Sequence, residues 1–171
     1  SDIYSNYLKD GYTAENALTA TTGVDVGNNK NISISYLAKK TQNVIFNLNG
    51  GDLTINDNFN GKQYFYGKAD SADISTGNDC LYVYATIGAM KVKSGKVIAD
   101  KNAYIGIVEA ASNIILKEQN GGLFVISTNA DVSKIDEAVA NSIGYTKNND
   151  RYVASEEKQD KSFYDISSIE K

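Results

Sequence analysis

The chain contains no histidine and no proline, and among 171 residues it has a single cysteine and a single arginine. Without histidine, Ser-His-Asp and Cys-His catalysis are excluded, and so is zinc held by imidazole. Cys80 has no partner for an internal disulfide, and one thiol cannot build a cysteine metal site. Its neighbours Asp79 and Leu81 bring no positive charge to activate it, so a buried, inert thiol is expected. The lone Arg151 argues against phosphate recognition, where bidentate guanidinium contacts dominate. A net charge of -4 likewise offers nothing to nucleic acid or anionic lipid. No apolar run approaches the roughly 20 residues that span a bilayer, so no membrane insertion is expected. Ser1-Asp2-Ile3-Tyr4 lacks the basic start and apolar run of a signal peptide, as a mature secreted product also would.

What is present is ordinary for a folded domain: 42% hydrophobic and 22% charged residues. The length suits one domain with a real core. Two sets of apolar residues recur through it. Val24, Ile45, Phe65, Val83, Ile105 and Phe124 form the first. Ile32, Leu53, Ile74, Val92, Ile114 and Val132 form the second, trailing by eight or nine positions. Successive members lie 18 to 22 residues apart. Short runs such as Leu53-Thr54-Ile55 and Met90-Lys91-Val92-Lys93 alternate with period two, as half-buried strands do. Turn residues separate them, at Asn49-Gly50-Gly51, Asn60-Gly61, Ser94-Gly95 and Asn120-Gly121-Gly122. A period near twenty with two strands inside it predicts a solenoid whose turns stack on one another.

The expected architecture is an all-β, right-handed parallel β-helix of about six turns over residues 23–132, within a single domain 1–171. Residues 1–22 read as a helical N-terminal cap, with Ile3, Tyr4, Tyr7 and Leu8 on one face. Residues 133–171 read as an α/β C-terminal cap. There Ser133-Lys134-Ile135-Asp136 serves as a capping box, a helix runs to Gly144, and a hairpin turns at Asn148-Asn149-Asp150. Ser155–Ser162 is expected to be solvated, and Phe163, Tyr164, Ile166 and Ile169 to dock. An antiparallel β-sandwich is the rival fold, because glycine-rich turns every ten residues suit it too.

On rung length and Asn/Gly turns, residues 24–132 resemble the right-handed parallel β-helix surface proteins, the pectate-lyase-like and haemagglutinin-repeat group. No catalytic motif of that group accompanies the resemblance. It implies a cell-surface or secreted, bacterial setting.

If Phe65 and Val83 point inward, alternation turns their neighbours outward. Val44, Tyr64, Tyr82, Tyr104 and Leu123 then precede the first column, and Phe46, Tyr66, Tyr84, Gly106 and Val125 follow it. The aromatic members of this face predict a platform on which tyrosine faces stack against sugar rings while hydroxyls hydrogen-bond. Tyr64, Tyr66, Tyr82, Tyr84 and Tyr104 are the candidate ligand-binding residues, for a polysaccharide or glycan, in a non-catalytic adhesin-like module. A protein partner would use the same surface. The alternatives are a self-assembling structural solenoid and a carbohydrate-active enzyme. The face beside the second column is polar. Asp52 and Asp73 are expected as stacked neighbours there and are the candidates for calcium, the one cofactor considered, with Lys91 or water as the simpler source of charge balance.

Overall fold

The computed structural model describes residues 23–28, 32–34, 44–59 and 62–161. The expected helical cap and the Phe163–Ile169 segment lie outside these residues. Eight strands form one sheet system: β1 (Gly23–Asn28), β2 (Ile32–Ile34), β3 (Val44–Asn49), β4 (Asp52–Phe59), β5 (Gln63–Ala99), β6 (Tyr104–Ala110), β7 (Ile115–Glu118) and β8 (Leu123–Ile126). Every pairing among them is parallel. The strands stack as a β-solenoid of about four turns. The sandwich alternative therefore fails, since the antiparallel pair among the described strands is a terminal hairpin.

Strand β5 shows how the winding works. Drawn straight, its 37 residues would extend about 120 Å at ~3.3 Å per residue. Instead the strand bends through corners and pairs with β3 and β4 below and with β6 and β7 above. Gly95 takes one corner at φ +94°, where a Cβ would collide with the buried Thr76 hydroxyl. The same Thr76 hydroxyl accepts the Lys96 amide at 3.1 Å, so side chain and corner are tied together.

Inward positions fill the lumen. Leu53, Ile55, Phe65, Ile74, Val83, Ile87, Val92, Ile105 and Phe124 are all buried. At about 1.5–3 kcal/mol for each large apolar side chain removed from water, these stacks are the main source of stability.

The columns are not quite those expected. Ile105 pairs with Ile87 rather than standing over Val83, and Phe124 follows Ile105. Ile74 pairs with Ile55, and Val92 with Ala110 rather than Ile114. A slip of two or four residues leaves every side chain on its own face, so alternation does not report it. In β3 the discrepancy is one residue: Ile45 pairs with Tyr64, and Phe46 with Phe65. Val44-Ile45-Phe46 is apolar throughout and has no alternation to set its phase.

Beyond β8, Val132–Lys134 forms a 3-10 turn and Glu137–Ser142 an α-helix. Ile135 stays extended between them and bridges Ala110 in parallel, because burial in the lumen overrides the local helical pattern. Asp136 itself caps the helix, accepting the Val139 amide at 3.1 Å, in place of the expected Ser133. Strands β9 (Tyr145–Asn148) and β10 (Arg151–Ala154) make the hairpin, with Asn149 at φ 57° in its turn. The buried Tyr152 hydroxyl donates to the Ile135 carbonyl at 2.9 Å and holds the hairpin to the solenoid. Residues 156–161 are helical. They are not simply solvated: Lys158 is 3% exposed and pairs with Glu118.

Candidate functional site: a tyrosine face ended by a buried aspartate

The alternation that sends Phe65 and Val83 into the lumen turns Tyr64, Tyr66, Tyr82 and Tyr84 outward on two successive rungs. The rungs align these side chains in pairs. Tyr64 and Tyr82 stack with centroids 5.0 Å apart and ring planes 14° apart. Tyr66 and Tyr84 stack at 4.6 Å and 8°. The result is a two-by-two patch in which Tyr66, 41% exposed, is the most open ring.

This geometry changes what the patch can do. Because the rings lie face to face along the solenoid axis, each covers a face of its neighbour. The platform of ring faces expected for sugar stacking is replaced by a surface of ring edges and hydroxyls. Tyr104 stands outside the two stacks: its backbone pairs with Thr86 and Leu123, two residues along the strand from Tyr84, which puts it in the adjoining column. Phe46, expected outward, shares the register position of the inward Phe65.

Asp100 closes one end of the patch. Its amide donates to the Val83 carbonyl at 2.9 Å, which brings the residue beside Tyr84 on the next rung. The carboxylate is 6% exposed and heavily bonded. It accepts the Lys101 amide at 2.7 Å, the Gln119 side-chain amide at 2.7 Å and the Asn120 side-chain amide at 2.8 Å. The Tyr84 phenol is close enough for the two groups to shift each other's titration. Burial alone would raise the pKa of Asp100, but the bonds from Asn120, Gln119 and Lys101, with the nearby Tyr84, outweigh it and hold the group below the ordinary carboxylate value. Tyr84 moves the other way. Burial first, then the Asp100 charge and neighbouring Tyr66, push its phenol up to about 12. The Tyr82 phenol is also raised, chiefly by the neighbouring buried Cys80 thiol.

Asp100 and its partners were not singled out in the sequence. A signal existed: Asp100-Lys101-Asn102 and Gln119-Asn120-Gly121 are turn-forming triplets one rung apart. Each closes a β-turn, through Ala103 N–H to the Asp100 carbonyl at 2.9 Å and Gly122 N–H to the Gln119 carbonyl at 3.0 Å. Next to the second turn lies an open cleft of about 560 Å³, lined by residues 118–123 with Asp160 and Lys161.

The carboxylates considered for calcium are not stacked. Asp52 pairs in register with Ser71, whose hydroxyl donates to it at 2.7 Å. Asp73 pairs with Thr54 and forms an ion pair with Lys93 at 3.1 Å, so Lys93 rather than Lys91 offsets its charge. Among the described residues, no group of three or more Cys, Asp or Glu converges to hold a metal ion. No helix among them is long and apolar enough to cross a membrane.

No protein-family model matches the chain, and neither a curated protein nor a solved structure matches it. The likeness to β-helix proteins is therefore one of fold, seen in the stacked parallel strands.

Proposed function

We propose that the chain is a non-catalytic surface or secreted module that binds an extended polysaccharide across the face bearing Tyr64, Tyr66, Tyr82 and Tyr84. One observation carries the reading: two tyrosine stacks stand side by side, so phenol hydroxyls and ring edges repeat once per rung. A linear glycan offers a matching repeat of hydroxyls and apolar ring edges. Phenols meet both at low entropic cost, because each side chain has few rotatable bonds and its ring is already held by its stack. In this reading the winding is right-handed, as crossovers between parallel strands nearly always are. It runs for six turns between end caps, which lengthens the surface beyond the patch.

Affinity electrophoresis through gels containing a neutral β-glucan or an acidic uronan tests the proposal. Retardation by at least one polymer, lost in the Tyr66→Ala/Tyr84→Ala double variant, is the expected result. Equal migration of the two proteins in every gel rejects it.

A second reading is end-to-end assembly. Strands β1 and β2 close the ladder path, and each pairs with one other strand among those described. Such an edge invites pairing with a second copy. Light scattering that reports a monomer at every concentration removes this reading.

A further inference from the structure

The tyrosine face also holds a reactive geometry that needs no ligand. The Tyr66 and Tyr84 rings are nearly parallel with centroids 4.6 Å apart, which holds the two phenols side by side on adjacent rungs. The Tyr84 phenol lies within electrostatic reach of the Asp100 carboxylate, itself 6% exposed and fixed by Gln119, Asn120 and the Lys101 amide. A phenol gives up an electron far more readily when its proton leaves at the same moment, and a neighbouring carboxylate can take that proton. Tyr66, at 41% exposure, is the ring that an external oxidant reaches first. The pair thus combines an accessible phenol, a stacked partner and a built-in proton acceptor.

We propose that Tyr66 and Tyr84 form an oxidative cross-linking site, converted to an intramolecular dityrosine by a haem-peroxidase-type one-electron oxidant supplied with hydrogen peroxide. Each phenol loses one electron and one proton, with the Tyr84 proton passing to Asp100 and then to solvent. The two phenoxyl radicals join through their ortho carbons, forming one C–C bond. The two ortho hydrogens then migrate to the oxygens and both rings regain aromaticity. Net, two hydrogens leave the protein, and the two electrons and two protons reduce one peroxide to two waters. The product ties adjacent rungs covalently, so the unfolded chain keeps a closed loop and loses entropy. The Tyr64–Tyr82 stack is the internal comparison: it is wider, at 5.0 Å and 14°.

The test exposes dilute protein to a haem peroxidase and hydrogen peroxide. It reads dityrosine fluorescence, gel mobility and peptide mass. The expected product migrates as a monomer, lacks two hydrogens and joins tryptic peptides 63–68 and 69–91. Both stacks lie in those peptides, so variants assign the bond. Tyr66→Phe, which keeps the ring, is expected to remove most of the intramolecular signal, and Tyr64→Phe to leave it. Asp100→Asn is expected to slow coupling several-fold. Cross-links found only between molecules, or an intramolecular yield unchanged by Tyr66→Phe, overturn the assignment.

Discussion

Lys158, from the helical turn after the hairpin, pairs with Glu118 forty positions earlier, and the same carboxylate oxygen accepts the Phe124 amide at 2.8 Å. The ammonium is 3% exposed and lies 5.8 Å from the centre of the Tyr145 ring. One side chain thus joins the C-terminal elements to β7 and β8. Removing one partner of a buried ion pair strands the other charge and costs about 3–5 kcal/mol, whereas neutralising both partners costs less. In urea denaturation, Lys158→Met, which keeps the stem but strands Glu118, is expected to lose about 3 kcal/mol, and Lys158→Met/Glu118→Gln clearly less. Equal losses in the single and double variants would mean that the stranded charge is not the cause.

Gly106 rises directly over Gly88. A Cβ on Gly106 would stand 2.4 Å from the Gly88 carbonyl oxygen, a backbone atom that cannot rotate away. Overpacking of this kind typically costs about 1–3 kcal/mol. Gly106→Ala is therefore expected to fall at the upper end of that range by thermal denaturation. Gly121→Ala meets nothing within 4 Å and suffers only from its φ of +89°, so about 1 kcal/mol is expected. The reverse order would contradict the rung spacing.

Asp100 receives its hydrogen bonds as a charged acceptor. An amide in its place turns an NH₂ group toward donors, and bonds to charged groups are worth about 1.5–3 kcal/mol each. Asp100→Asn is expected to lose about 3 kcal/mol at neutral pH. Because the folded pKa lies below the reference value of 3.8, the native advantage is complete above that value. It disappears as pH falls through the depressed one. The gap between wild type and Asp100→Asn should narrow in that acid window. A pH-independent gap would show that charge is not the cause.

Tyr84 gives the alkaline counterpart. Its folded pKa of about 12 lies above the reference of 10.0, so the unfolded chain loses the proton first. Stability from this residue is whole below pH 10 and falls as pH rises toward 12. Denaturation midpoints across that window should drop less steeply in Tyr84→Phe than in wild type. Identical slopes would place the high-pH loss elsewhere.

Much of the face was legible from alternation alone. Gln63–Tyr66 and Leu81–Ala85 read in and out without a break, and Phe65, Leu81 and Val83 are buried where four tyrosines are outward. Register was the hidden quantity. Val83 and Ile87 both face the lumen, so nothing local distinguishes the one that pairs with Ile105; that choice moved Tyr104 out of the ladder. Asp52 and Asp73 were displaced by the same two-residue ambiguity. Lys158 looked solvated because its flanks are charged, and its partner lies in a distant strand. Asp100 resembled a turn residue, which it is. Its burial follows from Gln119 and Asn120 arriving one rung later.

Tyrosine is abundant here and tryptophan absent, so ring resonances of isotope-labelled tyrosine offer a direct view of ligand contact. They would be followed by NMR while the β-glucan or uronan from the gels is titrated in. Shifts confined to Tyr64, Tyr66, Tyr82 and Tyr84, with Tyr104, Tyr145 and Tyr152 unmoved, are the result expected of a polysaccharide-binding face. No shift with either polymer, or shifts centred on Tyr104, Tyr145 and Tyr152, would contradict it.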